Sequence, residues 1–474
     1  MMRKITMMAF AAVVCGKASA GGLMTNTNYH IAFDRMMARG ASFDIDAAYS
    51  NPAGLSWGHD GLQFSLDFQK PWQNRDITVS TEQAPFNNYK EFNMKYEGKA
   101  SAPIVPALFA AYKKDKFNVS YMLGIVGSGG SVKYDNGVPM FTIPVVGMLS
   151  QSQFDPVTME QSSRMKYQLD TKLEGKQYIF GSQINFGYQF TENFAAAVGI
   201  RANYYDGSYK GNVTAISIAN NMMPATNLLD LQLDCKQKGW GFAPIISLDY
   251  HKGPLTLAAK YEFRTKLETE NDTKTLSIGS MGKVTDVNAL SKQVGNEATM
   301  AALSQTSMGA MAGKIGGYLD GVKTRYDMPA LFTFAVGYDF SEKLRGTLEY
   351  HFFDDKNAKM ANDRQETLNR GTFEYQAGVE YDINEKFTVS LGAQRTDYGL
   401  SDDYQQNTSF ACDSWSVGFG GAVNLNEHIR INAGYFITLY EDYKKNTQYL
   451  PSINTTETYS RTNNVIGIGI DYKF

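Results

Sequence analysis

The five histidines, His30, His59, His251, His351 and His428, are the first place to look for chemistry, and they are scattered along the chain. None sits in an HExxH pair, and the sequence holds no GxSxG elbow, CxxC pair or phosphate-binding Gly-Lys loop. A barrel-embedded hydrolase would assemble a dispersed Ser/His pair, and no residue nominates one. The sequence reads as a non-enzyme with neither cofactor nor metal. What it offers is the chemistry of binding. Residues 138–149 read VPMFTIPVVGML and gather Met140, Phe141, Ile143, Val145, Val146, Met148 and Leu149 in one connection. Left in water they form a costly patch. Either they capture a lipid-like ligand or they pack on one another across the mouth of a larger structure. A second stretch, 285–322, is helix-prone and carries Ala289, Leu290, Val294, Met300, Leu303, Met308 and Met311. Methionine adapts to ligands of variable shape, although such a stripe also serves to pack a loop helix on its neighbour. Arg264 and Arg345 are candidates to hold a substrate carboxylate.

Strands must position these residues. GLQFSLDFQ (61–69) alternates strictly, with Leu62, Phe64, Leu66 and Phe68 on one face and Gln63, Ser65, Asp67 and Gln69 on the other. The same dyad recurs to the C-terminus, and its apolar face ends repeatedly in Tyr188, Tyr250, Tyr338, Tyr381, Tyr472 and Phe474. A periodic aromatic at strand ends suits a membrane-interface girdle. Six connections are short and polar, at 113–116, 189–193, 251–254, 341–343, 384–386 and 426–428, and long ones alternate with them. Fourteen strands put all short turns on one side, among them 61–69, 116–126, 176–190, 237–250 and 461–474. The fold class is all-β: a transmembrane antiparallel barrel over 61–474, closed because lipid offers no partner to an open edge.

Composition agrees. Hydrophobic residues make up 43%, yet Gly 43, Tyr 29 and Phe 28 stand out, as alternating lipid-facing and lumen-facing strands require. A formal charge of −3 argues against a nucleic-acid partner. The polar face carries Arg201, Lys260, Glu262, Glu349, His351, Glu374, Glu380, Arg430, Asp471 and Lys473 beside the two candidate arginines. The alternative for any one of them is a salt-bridged interior. The run Gly418-Phe419-Gly420-Gly421 reads as room between crowded strands.

The N-terminus is an address. Arg3 and Lys4, the apolar run Ile5 to Val14, and Ala18-Ser19-Ala20 are the three parts of a signal peptide over 1–20. Such export permits a disulfide between Cys235 and Cys412, with two separate thiols as the alternative. Residues 21–60 show no dyad but hold Leu23, Phe33, Met36, Met37, Phe43 and Ile45. A free tail rarely needs that much apolar surface, so the segment is expected inside the barrel as a plug.

Within that segment stands Asn51-Pro52-Ala53-Gly54-Leu55, near Ala38, Arg39, Gly40, Ala41 and Asp46. A signal peptide, a short hatch-like segment, NPA about ten residues before the first strand, and a last strand ending in Phe474 together resemble the FadL-type outer-membrane transporters of long-chain fatty acids and related hydrophobic compounds. The resemblance implies that Asn51, Pro52 and Ala53 belong to a hatch. It implies that hydrophobic molecules are caught at the outer loops and leave sideways at a kinked third strand, where Gly124, Gly127, Gly129 and Gly130 fall. It also implies a passive transporter set in outer-membrane lipid, and the alternating short and long connections predict a monomeric barrel. The competing reading is a general porin or a structural surface barrel.

Overall fold

The computed structural model describes residues 30–81, 95–149, 167–217, 225–280, 283–304, 316–450 and 453–474. The signal peptide, Leu23, Met308 and Met311, and the side chains of Met148 and Leu149, lie outside the described residues. The strands form one antiparallel sheet closed on itself as fourteen staves. They are β1 (Gly61–Ser80), β2 (Lys95–Ser101 and Val105–Lys114), β3 (Phe117–Tyr134), β4 (Tyr167–Gln189) and β5 (Phe194–Ser217). Next come β6 (Asn227–Lys252), β7 (Leu255–Glu262 and Glu268–Ser280), β8 (Lys323–Arg325 and Leu331–Asp339), β9 (Leu344–Phe353) and β10 (Thr372–Asp382). The set ends with β11 (Phe387–Asp397), β12 (Ser414–Asn424), β13 (Ile429–Tyr440) and β14 (Ile453–Lys473). Closure comes from β1 pairing with β14, from Gln63↔Lys473 to Ser80↔Thr456.

All six short turns fall on one side, where the last strand also ends. The dyad resolves as the pattern requires. In β1, Gln63, Ser65, Asp67 and Gln69 are buried while Phe64, Leu66 and Phe68 face out, each about 40% exposed. Tyr250, Tyr338, Tyr381, Tyr472 and Phe474 stand exposed beside the short turns. Many strands run further from those turns than the apolar pattern suggests. The fourth begins at Tyr167 rather than 176, the sixth at Asn227 rather than 237, and the last at Ile453 rather than 461. In these outer extensions charges replace apolar residues on the outward face, as at Asp170, Lys172 and Glu174. That face lies clear of lipid and loses its signature, whereas backbone pairing does not stop there.

Two connections fold into helices: α3 (Pro139–Leu149), and the pair α4 (Val287–Val294) and α5 (Asn296–Ser304). Ahead of the wall lie α1 (Ile31–Arg35), α2 (Ala47–Ser50) and a 3-10 turn, Pro52–Trp57. Cys235 and Cys412 are buried free thiols and do not pair.

One turn carries visible backbone strain. Asp115, between β2 and β3, has φ +53°, a region that asparagine and aspartate tolerate through local side-chain hydrogen bonds and a β-branched residue does not. Asp115→Val should lower stability in urea titrations by about 1–2 kcal/mol, read from the folded band of heat-modified gel mobility.

Candidate functional site

The N-terminal segment meets the inward face of the wall through polar contacts made along most of its length. His30 caps α1: its Nδ1 accepts the Ala32 N–H at 3.1 Å, which leaves Nε2 to donate to Asp471 at 3.0 Å. The Ile31 N–H donates to Asp67 at 3.0 Å, and Arg35 donates to Glu380 and to Ser390. Further along, the Gly40 N–H donates to Glu349 at 2.7 Å, and Glu349 also meets His351, which reaches Glu374. Lys260 donates to the Tyr49 carbonyl and shares Glu262 with Arg201, while Gln183 and Asn185 donate to the Ala48 carbonyl. Much of the charge that alternation assigns to the lumen is therefore paired, and part of it holds this segment.

Asn51, Pro52 and Ala53 are fully buried. Pro52 opens the 3-10 turn, where its missing N–H leaves nothing unsatisfied. Asn51 and Trp57 donate to the two oxygens of Asp249 at 2.9 and 2.7 Å, and the Ala53 N–H donates to Ser247. Inside the segment Arg39 grips Asp46 with two hydrogen bonds, of 2.7 and 2.9 Å. Burial opposes the Arg39 charge, but Asp46 outweighs it and holds the guanidinium above its ordinary range. Burial, with the Asp67 carboxylate beside it, pushes the Asp34 carboxyl well above the usual range. The glycines of β12 and β13 have a use beyond strand crowding. A Cβ on Gly434 would stand 2.8 Å from the Asp34 Cβ, and one on Gly418 would strike the Asp34 carbonyl. The backbone of α1 lies where those side chains would be.

On the outer side, α3 packs inward. Ile143 and Val146 join Ile77, Val79, Tyr96, Tyr134 and Phe410, and Val145 joins Val213, Leu229, Leu231 and Leu276. Packing across the mouth accounts for these three, whereas Met140 and Phe141 keep partial exposure. The second stretch reaches an open cavity of about 670 Å³, bounded by α5, by residues 316–326 and by 359–363. Tyr209, Met300, Tyr318, Leu319, Val322 and Met360 give it an apolar lining, with Glu297, Lys323, Arg325, Lys359 and Asp363 beside them. Burial pushes the Tyr318 and Tyr326 phenols up, so both stay neutral. Arg264 is partly exposed, 3.8 Å from Asp327, and donates to the Asn357 carbonyl. Arg345 sits at the short-turn end, paired with both Glu380 and Asp382, so it is not a free cation.

The wall is interrupted on the second and third staves, and again at the seventh, where β6 and β7 pair down to Ile245↔Glu262 and resume at Trp240↔Glu268. β2 pairs with β3 from Leu108↔Leu123 to Lys114↔Phe117 and again from Gly98↔Tyr134 to Ser101↔Ser131, with no pairing between. Against β4, β3 shifts register at Ile125/Gly127 and at Gly127/Gly129. Ala102, Val105 and Ile125, with Tyr178, form a small apolar cluster there.

Comparison with known proteins places this geometry. The outer membrane protein beta-barrel domain family matches residues 293–474, and no curated protein sequence matches the chain. A FadL homologue of Pseudomonas aeruginosa superposes with a TM-score of 0.65 at 13% identity, over 96% of this chain and 100% of that one. The toluene transporter TodX of P. putida gives 0.56 at 15% identity, over 91% and 94%. The toluene transporter TbuX of Ralstonia pickettii gives 0.52 at 13% identity, over 91% and 94%. The chain has the fold of FadL-type transporters and is a multi-pass β-barrel of the outer membrane.

Gly434→Val suits the strand but drives its side chain into α1. Overpacking of this kind costs about 1–3 kcal/mol, so residues 30–57 should exchange amide hydrogens and admit protease faster, with heat-modified mobility unchanged. Asp34 sets a pH dependence. An acid whose pKa rises on docking favours the docked state at low pH, and that contribution fades as pH climbs above about 4. Asp34→Asn keeps the acceptor for Gln69 and removes the charge. It should slow exchange of the α1 amides at pH 7.5, after correction for intrinsic rates, and flatten the loss of protection between pH 5 and 8.

Proposed function

We propose that the chain carries hydrophobic compounds, long-chain fatty acids foremost, passively across the outer membrane. In this reading residues 21–60 form a plug domain and 61–474 the barrel. The observation that carries the proposal is the combination of an N-terminal segment hydrogen-bonded to inward-facing wall residues with the unpaired stretch between β2 and β3. An open porin would have no use for a buried, hydrogen-bonded segment across its channel. The described FadL homologue and the two toluene transporters have the same fold, which favours hydrophobic cargo over polar solutes. The outer cavity with Met300, Tyr318 and Met360 is the capture site. Met140 and Phe141 contribute from the edge of α3, while Ile143, Val145 and Val146 shape its support. Arg264, beside Asp327, is a basic group near that region able to meet a carboxylate, with Lys323, Arg325 and Lys359 at the cavity itself. Cargo then moves inward, displaces part of the plug and leaves sideways past Ala102, Val105 and Ile125.

The exit can be stapled. A Cβ on Gly124 would lie 3.5 Å from the Ala107 Cβ, within the spacing of a disulfide. In an Ala107→Cys/Gly124→Cys variant, oxidation should reduce fatty-acid uptake to near the level of cells lacking the protein. Binding to purified protein should stay unchanged, and reduction should restore uptake. Undiminished uptake by fully oxidised protein would remove the lateral route.

A further inference from the structure

The lapse at the seventh stave lies beside the outer cavity, and three neighbouring strands break there at one level. β6 and β7 pair from Lys252↔Leu255 to Ile245↔Glu262 and resume at Trp240↔Glu268. β7 and β8 pair as far as Leu331↔Glu262, touch at the isolated bridge Thr265↔Met328, and resume at Arg325↔Glu268. Pro244 on β6 and Pro329 between the two parts of β8 stand at the break, where a residue without an N–H is tolerated. On the β8 side the break is mended. The Thr265 and Met328 N–H groups each donate to the other's carbonyl at 3.1 Å, and the Leu267 N–H donates to the buried Asp327 carboxylate at 3.1 Å. On the β6 side the Phe263 N–H donates to the Pro244 carbonyl, and beyond it the strands meet by packing: a Cβ on Gly241 would strike the Thr265 methyl. Contacts of that kind are individually small.

Depth and surroundings give this seam a use. On its outward side Trp240, Phe242 and Phe263 are exposed, and the Trp240 ring meets Tyr204 at 4.6 Å. From Tyr250, beside the short turns, β6 climbs to Trp240 through roughly 25 Å at the usual strand tilt, the height of the apolar band. Trp240 therefore marks the outer edge of that band, and the seam just inside it faces the hydrocarbon of the outer leaflet. On the inward side Leu267, Tyr326 and Met328 share one buried cluster with Tyr205, whose ring meets Tyr326 at 5.2 Å. Tyr326 also borders the outer cavity, so it stands between the seam and the cavity. We propose that the seam is a side window through which the outer cavity takes hydrophobic molecules already dissolved in the outer leaflet. The inference rests on the capture reading above and names the source of its cargo: sparingly soluble molecules that enter lipid before they meet the protein. The lapse between β2 and β3 serves release, and this one serves intake.

The test staples the seam. Gly241→Cys and Thr265→Cys place two thiols where the side chains already meet, within reach of a disulfide. Cys235→Ser and Cys412→Ser keep the native thiols out of the reaction. The full-length protein is placed in liposomes with one of two probes: a long-chain alcohol bearing a diazirine, dissolved in the bilayer, or a short-chain diol bearing the same group, added to the water. Photo-adducts on Met300, Tyr318 and Met360 report arrival in the cavity, and each probe is compared between oxidised and reduced protein. Oxidation should cut labelling by the long-chain alcohol to near background and leave that by the diol unchanged, and reduction should restore the first. Unchanged labelling by the long-chain alcohol, or equal loss for both probes, would overturn the window. So would loss of long-chain labelling when the Ala107→Cys/Gly124→Cys staple is oxidised instead. If heat-modified mobility shows the double variant unfolded, Thr265→Cys alone in the same background is offered a long-chain maleimide dissolved in the bilayer and a water-soluble one. Faster reaction with the first is expected at this buried position, and no reaction with it overturns the window. Failure of either diazirine probe to label the cavity of the parent protein would bring down the capture reading itself.

Discussion

The constraint on which the rest depends is that hydrocarbon accepts no hydrogen bonds. It forces the sheet to close, and closure sends every second side chain into a shared interior. Fourteen staves leave an interior too wide for their own side chains to fill. Residues 30–57 contact part of the inward face, and those contacts are polar because that face is polar. Arg35 on Glu380, Gly40 on Glu349, Lys260 on the Tyr49 carbonyl and Asn51 on Asp249 are separate answers to one requirement. Each removes a buried charge or polar atom that would otherwise stand unpaired.

The same constraint gives meaning to local lapses in the ladder. Between β2 and β3 the ladder lapses, and α2 packs beside it through Ala48 and Tyr49, near Ala107, Met122 and Val126. Small and apolar side chains, Ala102, Val105 and Ile125, line it. Unpaired backbone facing lipid is tolerated only where it adjoins protein or a cavity. A weakness in a barrel wall of this kind is where a lipid-soluble molecule meets the least resistance.

Much of the fold was legible in the sequence because a period of two and an alternation of short and long connections survive every substitution that keeps the strands. The six turns and the count of fourteen rest on that alone. Strand ends were less legible: once the outward face leaves the membrane it turns charged, and Asp170 or Lys172 looks like loop. The site was legible in part. Asn51, Pro52 and Ala53 lie in a buried turn joined to Asp249 and Ser247, and from the second stretch Met300, Tyr318, Leu319 and Val322 border the outer cavity. The apolar run of 138–149 was visible as a liability but not as a packed helix, because its partners, Ile77, Tyr134 and Phe410, are remote in sequence. Asp249 was missed although alternation places it inward beside Ser247. Gly418 was read as relief for the sheet, since nothing local says that the backbone at Asp34, remote in sequence, comes to rest on it. Arg264 and Arg345 were chosen by charge alone, and charge cannot show that Arg345 already has two acids.

The span of the contact between His30 and Asp471 bears on assembly. These residues are 441 positions apart. A segment that precedes the first strand thus makes contacts with β14. Until β12, β13 and β14 exist, α1 lacks most of its partners, and Phe33 and Met37 lack the Phe436 and Val465 they pack against. Contacts this distant form slowly, and chains that wait with apolar surface exposed aggregate. Biogenesis of this barrel thus needs the amino-terminal residues shielded in transit and enclosed as the first and last strands meet, so that filling and closure are a single late event.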